Sequence, residues 1–236
     1  MSYSHEFSLE SYSSRKFTTA RDSLFITLND VNYDQSAKTL SVYDIDAKQF
    51  LKANIDSPEM AYVGNTSGGG GIIATEKEVF YSFVSYPGIW KYNLKRGVSK
   101  YFNSVPDYFE ESDFKELESL KRPNDHRYYR GYMFKKSRSE GIYFLGKDKI
   151  VQMIATGNPW KSGSFNNSEI EYVLEIWDRE GKKIASKIPT PNNQRIEFTQ
   201  GDNIYFNTGK LFSEESESLS EGNELRLFEV YKMVAN

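Results

Sequence analysis

Five carboxylates, two arginines set among tyrosines and one tryptophan in a polar loop are the groups in this sequence with chemistry to offer. Asp44, Asp46, Asp107, Glu175 and Asp178 are available, and most of them lie in turns that follow β-rich runs. Two or three such groups held at set distances across a cleft are what glycoside hydrolysis requires, one donating a proton while another attacks or activates water. The competing reading is local, because Asp and Glu in turns bond to nearby backbone or are simply solvated. In Arg127-Tyr128-Tyr129-Arg130-Gly131-Tyr132, Tyr129 and Arg130 could form a platform for an anion or a sugar, since guanidinium groups stack on rings and offer several donors. The same residues also describe an inner strand with core tyrosines and a paired arginine. The stretch from Gly157 to Asn167 is polar around Trp160, and with Asn158 it has the composition of a carbohydrate or protein contact loop. Trp160 could equally plug that loop onto the body of the protein.

Other chemistries are excluded by count or pattern. The chain has no Cys and only His5 and His126, so disulfides, thiolate sites and a multi-His metal centre are ruled out. Serines are numerous, but no nucleophile-elbow motif is present. Gly68 to Gly71 lack the Lys-Ser/Thr pair of a phosphate-binding loop and precede no helical pattern, so no nucleotide or other cofactor is expected. A formal charge of −3 from 30 basic and 33 acidic residues supplies no basic field, which argues against nucleic acid. No run approaches the roughly 18 apolar residues of a spanning helix, and Met-Ser-Tyr-Ser-His-Glu-Phe at the N-terminus has no signal-peptide pattern.

These groups sit on a chain built from short β runs. With 17 Tyr and 16 Phe, aromatic residues make up 15% of the sequence, an enrichment that suits pleated, half-buried surfaces. The clearest unit is Val79 to Ser85, Ile89 to Leu94 and Val98 to Phe102, broken by Pro87-Gly88 and Lys95-Arg96-Gly97. That pattern predicts a three-stranded antiparallel meander. Ser23 to Ile55 repeats the layout, and comparable strands begin at Lys149 and Asn203. Strand-only repetition predicts an all-β propeller of antiparallel four-stranded blades, about four of them visible. Residues 1–236 then form a single propeller-like domain. Phe114, Leu117 and Leu120 at helical spacing predict one short helical insertion over about 107–122. The N-terminal alternating segment, Ser4 to Thr19, is expected to complete the last blade, because unpaired edges are a liability. Ser213 to Glu224 reads as a solvated acidic loop.

Val79 to Leu94, the Tyr128-Tyr129-Arg130 segment after the insertion, and Leu174-Glu175-Ile176-Trp177-Asp178-Arg179-Glu180-Gly181-Lys182 together resemble six-bladed β-propeller proteins. The likeness is strongest to an uncharacterised bacterial family associated with the cell envelope. The resemblance implies about six blades, a periplasmic or envelope location and no known activity. This chain departs from it in showing four units and no export signal, as a shortened member or a complete four-bladed ring would. The expected function is a non-catalytic binding or scaffold propeller that presents loops to a protein, peptide or glycan, with Trp160, Arg130, Tyr129 and Asn158 as ligand contacts. The alternative is a glycosidase or lyase acting on polysaccharide with carboxylates at the central cleft. Were the ring incomplete, its exposed blade faces would drive self-association.

Overall fold

Short β-branched and aromatic runs separated by Gly, Asn and Asp can satisfy their backbone groups by pairing with their neighbours along the chain, and the protein is built that way. The computed structural model describes residues 14–21, 23–29, 40–51, 70–84, 88–102, 106–109, 137–157, 160–161, 164–166, 169–212 and 225–232. The strands are β1 (Ser14–Ala20), β2 (Leu24–Asn29), β3 (Leu40–Asp44), β4 (Gln49–Leu51), β5 (Gly71–Ala74), β6 (Glu78–Ser82), β7 (Ile89–Asn93), β8 (Val98–Phe102) and β9 (Arg138–Leu145). They continue as β10 (Lys149–Thr156), β11 (Trp160–Lys161), β12 (Ser164–Phe165), β13 (Glu171–Asp178), β14 (Lys183–Pro189), β15 (Ile196–Gln200), β16 (Asn203–Phe212) and β17 (Leu225–Lys232). Four antiparallel sheets follow in chain order, β1-β2-β3-β4, β5-β6-β7-β8, β9-β10-β13-β14 and β15-β16-β17, with β11-β12 a separate small hairpin. The fold is all-β, and its repeated meanders are propeller-like blades.

One expectation changes. Ser14–Ala20 does not complete the last blade; it pairs with β2 from Lys16↔Leu28 to Ala20↔Leu24. The short turn through Arg21 and Ser23 brings it back on its own neighbour, whose edge is the first one the chain meets. The insertion predicted as helix over 107–122 starts with a turn at Asp107 and Tyr108, and residues 110–122 lie outside those described.

Adjacent blades pack face to face, and their innermost strands run side by side, β1 against β5, β5 against β9 and β9 against β15. Among the described residues no comparable contact joins β15 to β1. Leu24, Ile26, Leu40 and Val42 of the first blade meet Val79, Tyr81, Trp90 and Tyr92 of the second. Phe80, Ile89 and Phe102 of the second meet Ile142, Ile150 and Trp177 of the third. Val151, Met153, Leu174 and Ile176 of the third meet Ile196, Ile204 and Phe206 of the fourth. Each fully buried large side chain stabilises the fold by about 1.5–3 kcal/mol. Because the middle blades are covered on both faces, β6 and β10 are buried almost continuously instead of alternating. The inner strands approach so closely that a Cβ on Gly71 would lie 2.6 Å from the Ile142 amide nitrogen, so glycine is required there.

The two ends of the blades differ. At one end the connections are short hairpin turns, at 21–23, 45–48, 75–77, 94–97, 146–148, 179–182 and 201–202. Contacts between blades align this end around the molecule, with Arg21 Nε donating to Glu76 O and Gly146 N–H to Gly201 O. At the other end, the described residues between strands include 70, 83–84, 88, 137, 157, 169–170 and 190–195. That end is aligned by Gly70 N–H donating to Ser139 O and Ser139 N–H donating to Val84 O.

Candidate functional site

Among the described residues, Glu175 is the one buried carboxylate, and it lies on a middle strand. Strand β13 reads Glu-Tyr-Val-Leu-Glu-Ile-Trp-Asp, and its alternation sends Leu174 and Ile176 to the fourth blade and Val173, Glu175 and Trp177 to the other face. Glu175 is therefore buried in the third blade. The neighbouring strand accommodates it through a bulge. Leu174 pairs with Ile188 and Ile176 with Ala185, so Ser186 and Lys187 together oppose Glu175 alone. Lys187 takes a positive φ of 54° to make the extra residue fit, and a bulge of this kind frees an N–H from the ladder.

Glu175 collects what the bulge releases. Its Oε1 accepts the Ser186 hydroxyl at 2.7 Å, the Lys187 N–H at 3.0 Å and the Tyr108 hydroxyl. Its Oε2 lies 2.7 Å from Lys183 Nζ, which also sits 4.8 Å over the Trp177 ring. Burial raises the Tyr108 hydroxyl pKa above its ordinary value, and the hydrogen bond to Glu175 raises it further, so Tyr108 stays a protonated donor. Phe109 follows into an apolar pocket with Ile154 and Val173. The segment Pro106–Phe109 is thereby fastened to the third blade by one charged and one apolar contact.

Directly across β10 from Glu175 stands Gln152, buried with Ser82 and Ser139. Its amide donates to Gly88 O and to Ser139 Oγ, each at 3.1 Å, and Ser139 Oγ lies 3.1 Å from Ser82 Oγ. This polar seam ties the second blade to the third. Nearer the inner strands, Glu140 is held between Arg138 Nε at 2.6 Å and Arg195 Nη2 at 3.0 Å. Arg195 also lies over Tyr172. Burial pushes the nearby Tyr143 hydroxyl up to about 12.

The carboxylates weighed for hydrolysis are not brought together. Asp44 accepts the Ala47 N–H within its own turn, Asp46 is exposed and Asp107 is exposed. Asp178 accepts the N–H groups of Glu180 at 2.9 Å and Lys182 at 2.8 Å. Those bonds, that from Lys182 foremost, hold its carboxyl below the ordinary carboxylate range. Glu175 alone among the five is buried mid-strand, away from any turn; the signal for it was a single charge inside an otherwise apolar run. The ionic trio of Glu140, Arg138 and Arg195 was not singled out from sequence, since Arg195 lies 55 residues from Glu140 in the chain. Among the described residues no cluster of three His, Asp or Glu side chains could hold a metal, and no helix is long and apolar enough to cross a membrane.

Of the four predicted ligand contacts, Trp160 is in β11, where it pairs with Phe165 of β12. The 157–170 connection therefore contains a small hairpin where a plain loop was expected. It departs from the end of the third blade at which β9 begins, because Ala155 pairs with Arg138. Asn158, Tyr129 and Arg130 lie outside the described residues.

No protein-family profile matches the chain, and no curated protein matches it. Among solved structures, that of a member of the DUF4221 family from Bacteroides vulgatus superposes with a TM-score of 0.58 at 10% sequence identity. The match covers 94% of this chain and 65% of that one, so this chain spans about two thirds of its neighbour's length. At that identity the likeness is one of fold: an all-β, propeller-like chain beside a member of an uncharacterised family.

Proposed function

We propose that this protein is a binding or scaffold module whose rigid stack of blades presents the connections at one end to a protein, peptide or glycan. The observation that carries this reading is that the described hairpin turns all fall at one end of the blades, while at the other end the strands are separated by longer stretches of sequence. Binding residues concentrate on loops held by a rigid scaffold, and the core clusters between successive blades supply that rigidity. The carboxylates support the same reading. Asp44 and Asp178 serve their own turns, while Glu140 and Glu175 are each held by cations or several donors. The unit we propose is four-bladed, and a place at the cell envelope follows from the resemblance noted in the sequence.

The test is a glycan array and a peptide array probed with the 236-residue chain and with Trp160→Ala. A ligand bound by the parent and lost at least tenfold in the variant is the expected result, with the far-ultraviolet spectrum unchanged. Absence of binding to either array by the parent overturns the reading. So would turnover of a polysaccharide that Glu175→Gln abolishes, which would establish hydrolysis instead.

A further inference from the structure

The junction between the third and fourth blades is apolar along most of its length and ends in charge. Strict alternation along β9 would send Ser139 to the same side as Gly141 and Tyr143. A bulge intervenes: Met153 pairs with Gly141 but Ile154 with Ser139, leaving Glu140 as the extra residue. Ser139 therefore turns to Ser82 of the second blade, and Arg138 turns to the fourth, because a one-residue slip sends side chains to the opposite face. There the rung of Arg138, Ala155 and Tyr172 closes the end of the sheet, beyond Met153 and Leu174 of the core. Thr190 continues that rung, its N–H donating to Tyr172 O at 3.0 Å.

Arg195 reaches this rung from the connection to the fourth blade. Asn193 fixes that connection, its side chain accepting the Tyr172 N–H at 2.7 Å and donating to Ile170 O. Glu140 then stations the guanidinium. Its Oε1 is taken by buried Arg138 and its Oε2 accepts from Arg195 Nη2, which sets Arg195 over the Tyr172 ring at 5.9 Å from the centroid. The Arg195 side chain is 55% exposed. Glu140 is its one hydrogen-bonded partner among the described residues, so most of its N–H donors are uncommitted. The Thr190 hydroxyl beside Tyr172 is buried and has no partner among the described residues.

We propose that Arg195 receives the carboxylate of a uronic-acid residue in an acidic glycan. This rests on the binding reading above and names its ligand class, at the end of the blades that reading assigns to ligands. A planar guanidinium fork matches a carboxylate through parallel hydrogen bonds, and a fork already held by Glu140 and Tyr172 loses less side-chain freedom on binding. Two carboxylates of the fourth blade share the neighbourhood. Glu197 accepts from Asn207 Nδ2 at 3.1 Å and Glu229 from Asn192 Nδ2 at 3.3 Å. They repel a doubly charged phosphate more than a singly charged carboxylate, which selects the latter. An Asp or Glu side chain of a peptide would bring a carboxylate alone. A sugar acid brings hydroxyl groups beside it, which suit the Thr190 hydroxyl as donor or acceptor.

The test is isothermal titration of the 236-residue chain with oligogalacturonate and oligoglucuronate, each beside its methyl ester. One of the acids should bind, and its ester should bind weaker by about tenfold or more. Arg195→Ala should lose the acid by a similar factor with the thermal midpoint within about 2 °C of the parent, since the side chain is half exposed. Arg195→Lys, which keeps the charge and loses the fork, should fall between. Failure of both acids to bind, equal binding of acid and ester, or an Arg195→Ala chain that binds as the parent does overturns the site. A peptide rich in Asp and Glu that binds through Arg195 more tightly than either sugar acid overturns the ligand class. Should the arrays yield a ligand that depends on Trp160 while both sugar acids fail, this inference falls and the binding reading stands; a parent that binds nothing on either array removes both.

Discussion

Changing Glu175 to glutamine keeps the shape of the side chain and removes the charge on which four groups converge. A glutamine oxygen could still accept from two of Tyr108, Ser186 and Lys187, but its amide would face Lys183 Nζ, now 2.7 Å from Oε2. Breaking a buried ion pair by removing one partner costs about 3–5 kcal/mol. The Lys183 side chain is 19% exposed, so part of its charge regains water, and we set the expected loss at about 2–4 kcal/mol. Against a total stability of about 5–15 kcal/mol that is a large share, and at this chain length it lowers the thermal midpoint by about 4–16 °C. Tyr108→Phe removes a single donor to a charged acceptor and should cost about 1–3 kcal/mol. Since both changes act on one carboxylate, the double variant should be less destabilised than the two losses added together, by about 1 kcal/mol. Urea unfolding followed by tryptophan fluorescence is the assay, because buried Trp177 lies beneath Lys183. A Glu175→Gln chain within about 0.5 kcal/mol of the parent, or strict additivity with Tyr108→Phe, would refute the clamp.

Gly181→Ala should destabilise by about 2–4 kcal/mol in the same urea assay. Its φ is +93° and a Cβ there would lie 2.4 Å from the buried Phe102 ring, in a turn that Lys91 and Lys100 grip through the carbonyls of Arg179 and Glu180; an unchanged midpoint would show that the turn yields freely. Asp178→Asn should be less stable than the parent at neutral pH. The folded carboxyl titrates below its unfolded value, so its contribution is complete above about pH 4 and disappears as pH falls through the lowered folded value. Urea midpoints at about pH 7 and about pH 3 should therefore differ by a gap that closes on acidification, and a gap independent of pH would remove the explanation.

The meanders were legible because local rules decide them. Runs such as Val79 to Leu94 alternate with turn residues, and Gly97, Gly146 and Gly181 adopt the positive φ that their turns need. Long-range pairing was less so: Ser14–Ala20 reads as a strand, but periodicity carries no information on which edge it joins. Periodicity gave no sign of where Glu175 would be received, because the bulge at Ser186 and Lys187 that receives it is invisible in the alternation of β14. Phe198 shows the same limit, since strict counting from Ile196 puts it in the core. Trp160 reads as a loop residue because its hairpin has only two pairs, Trp160↔Phe165 and Lys161↔Ser164.

The unequal ends of the blades also govern how such a chain can diverge. An extra residue in a hairpin such as 201–202 or 75–77 would slide one strand against its neighbour and turn core side chains outward. An insertion between β14 and β15, at 190–195, lengthens a connection that lies outside the strand pairing, and loop length carries a small entropic cost. Lineages sharing this scaffold should therefore keep one rim nearly constant in length while the opposite rim grows and shrinks.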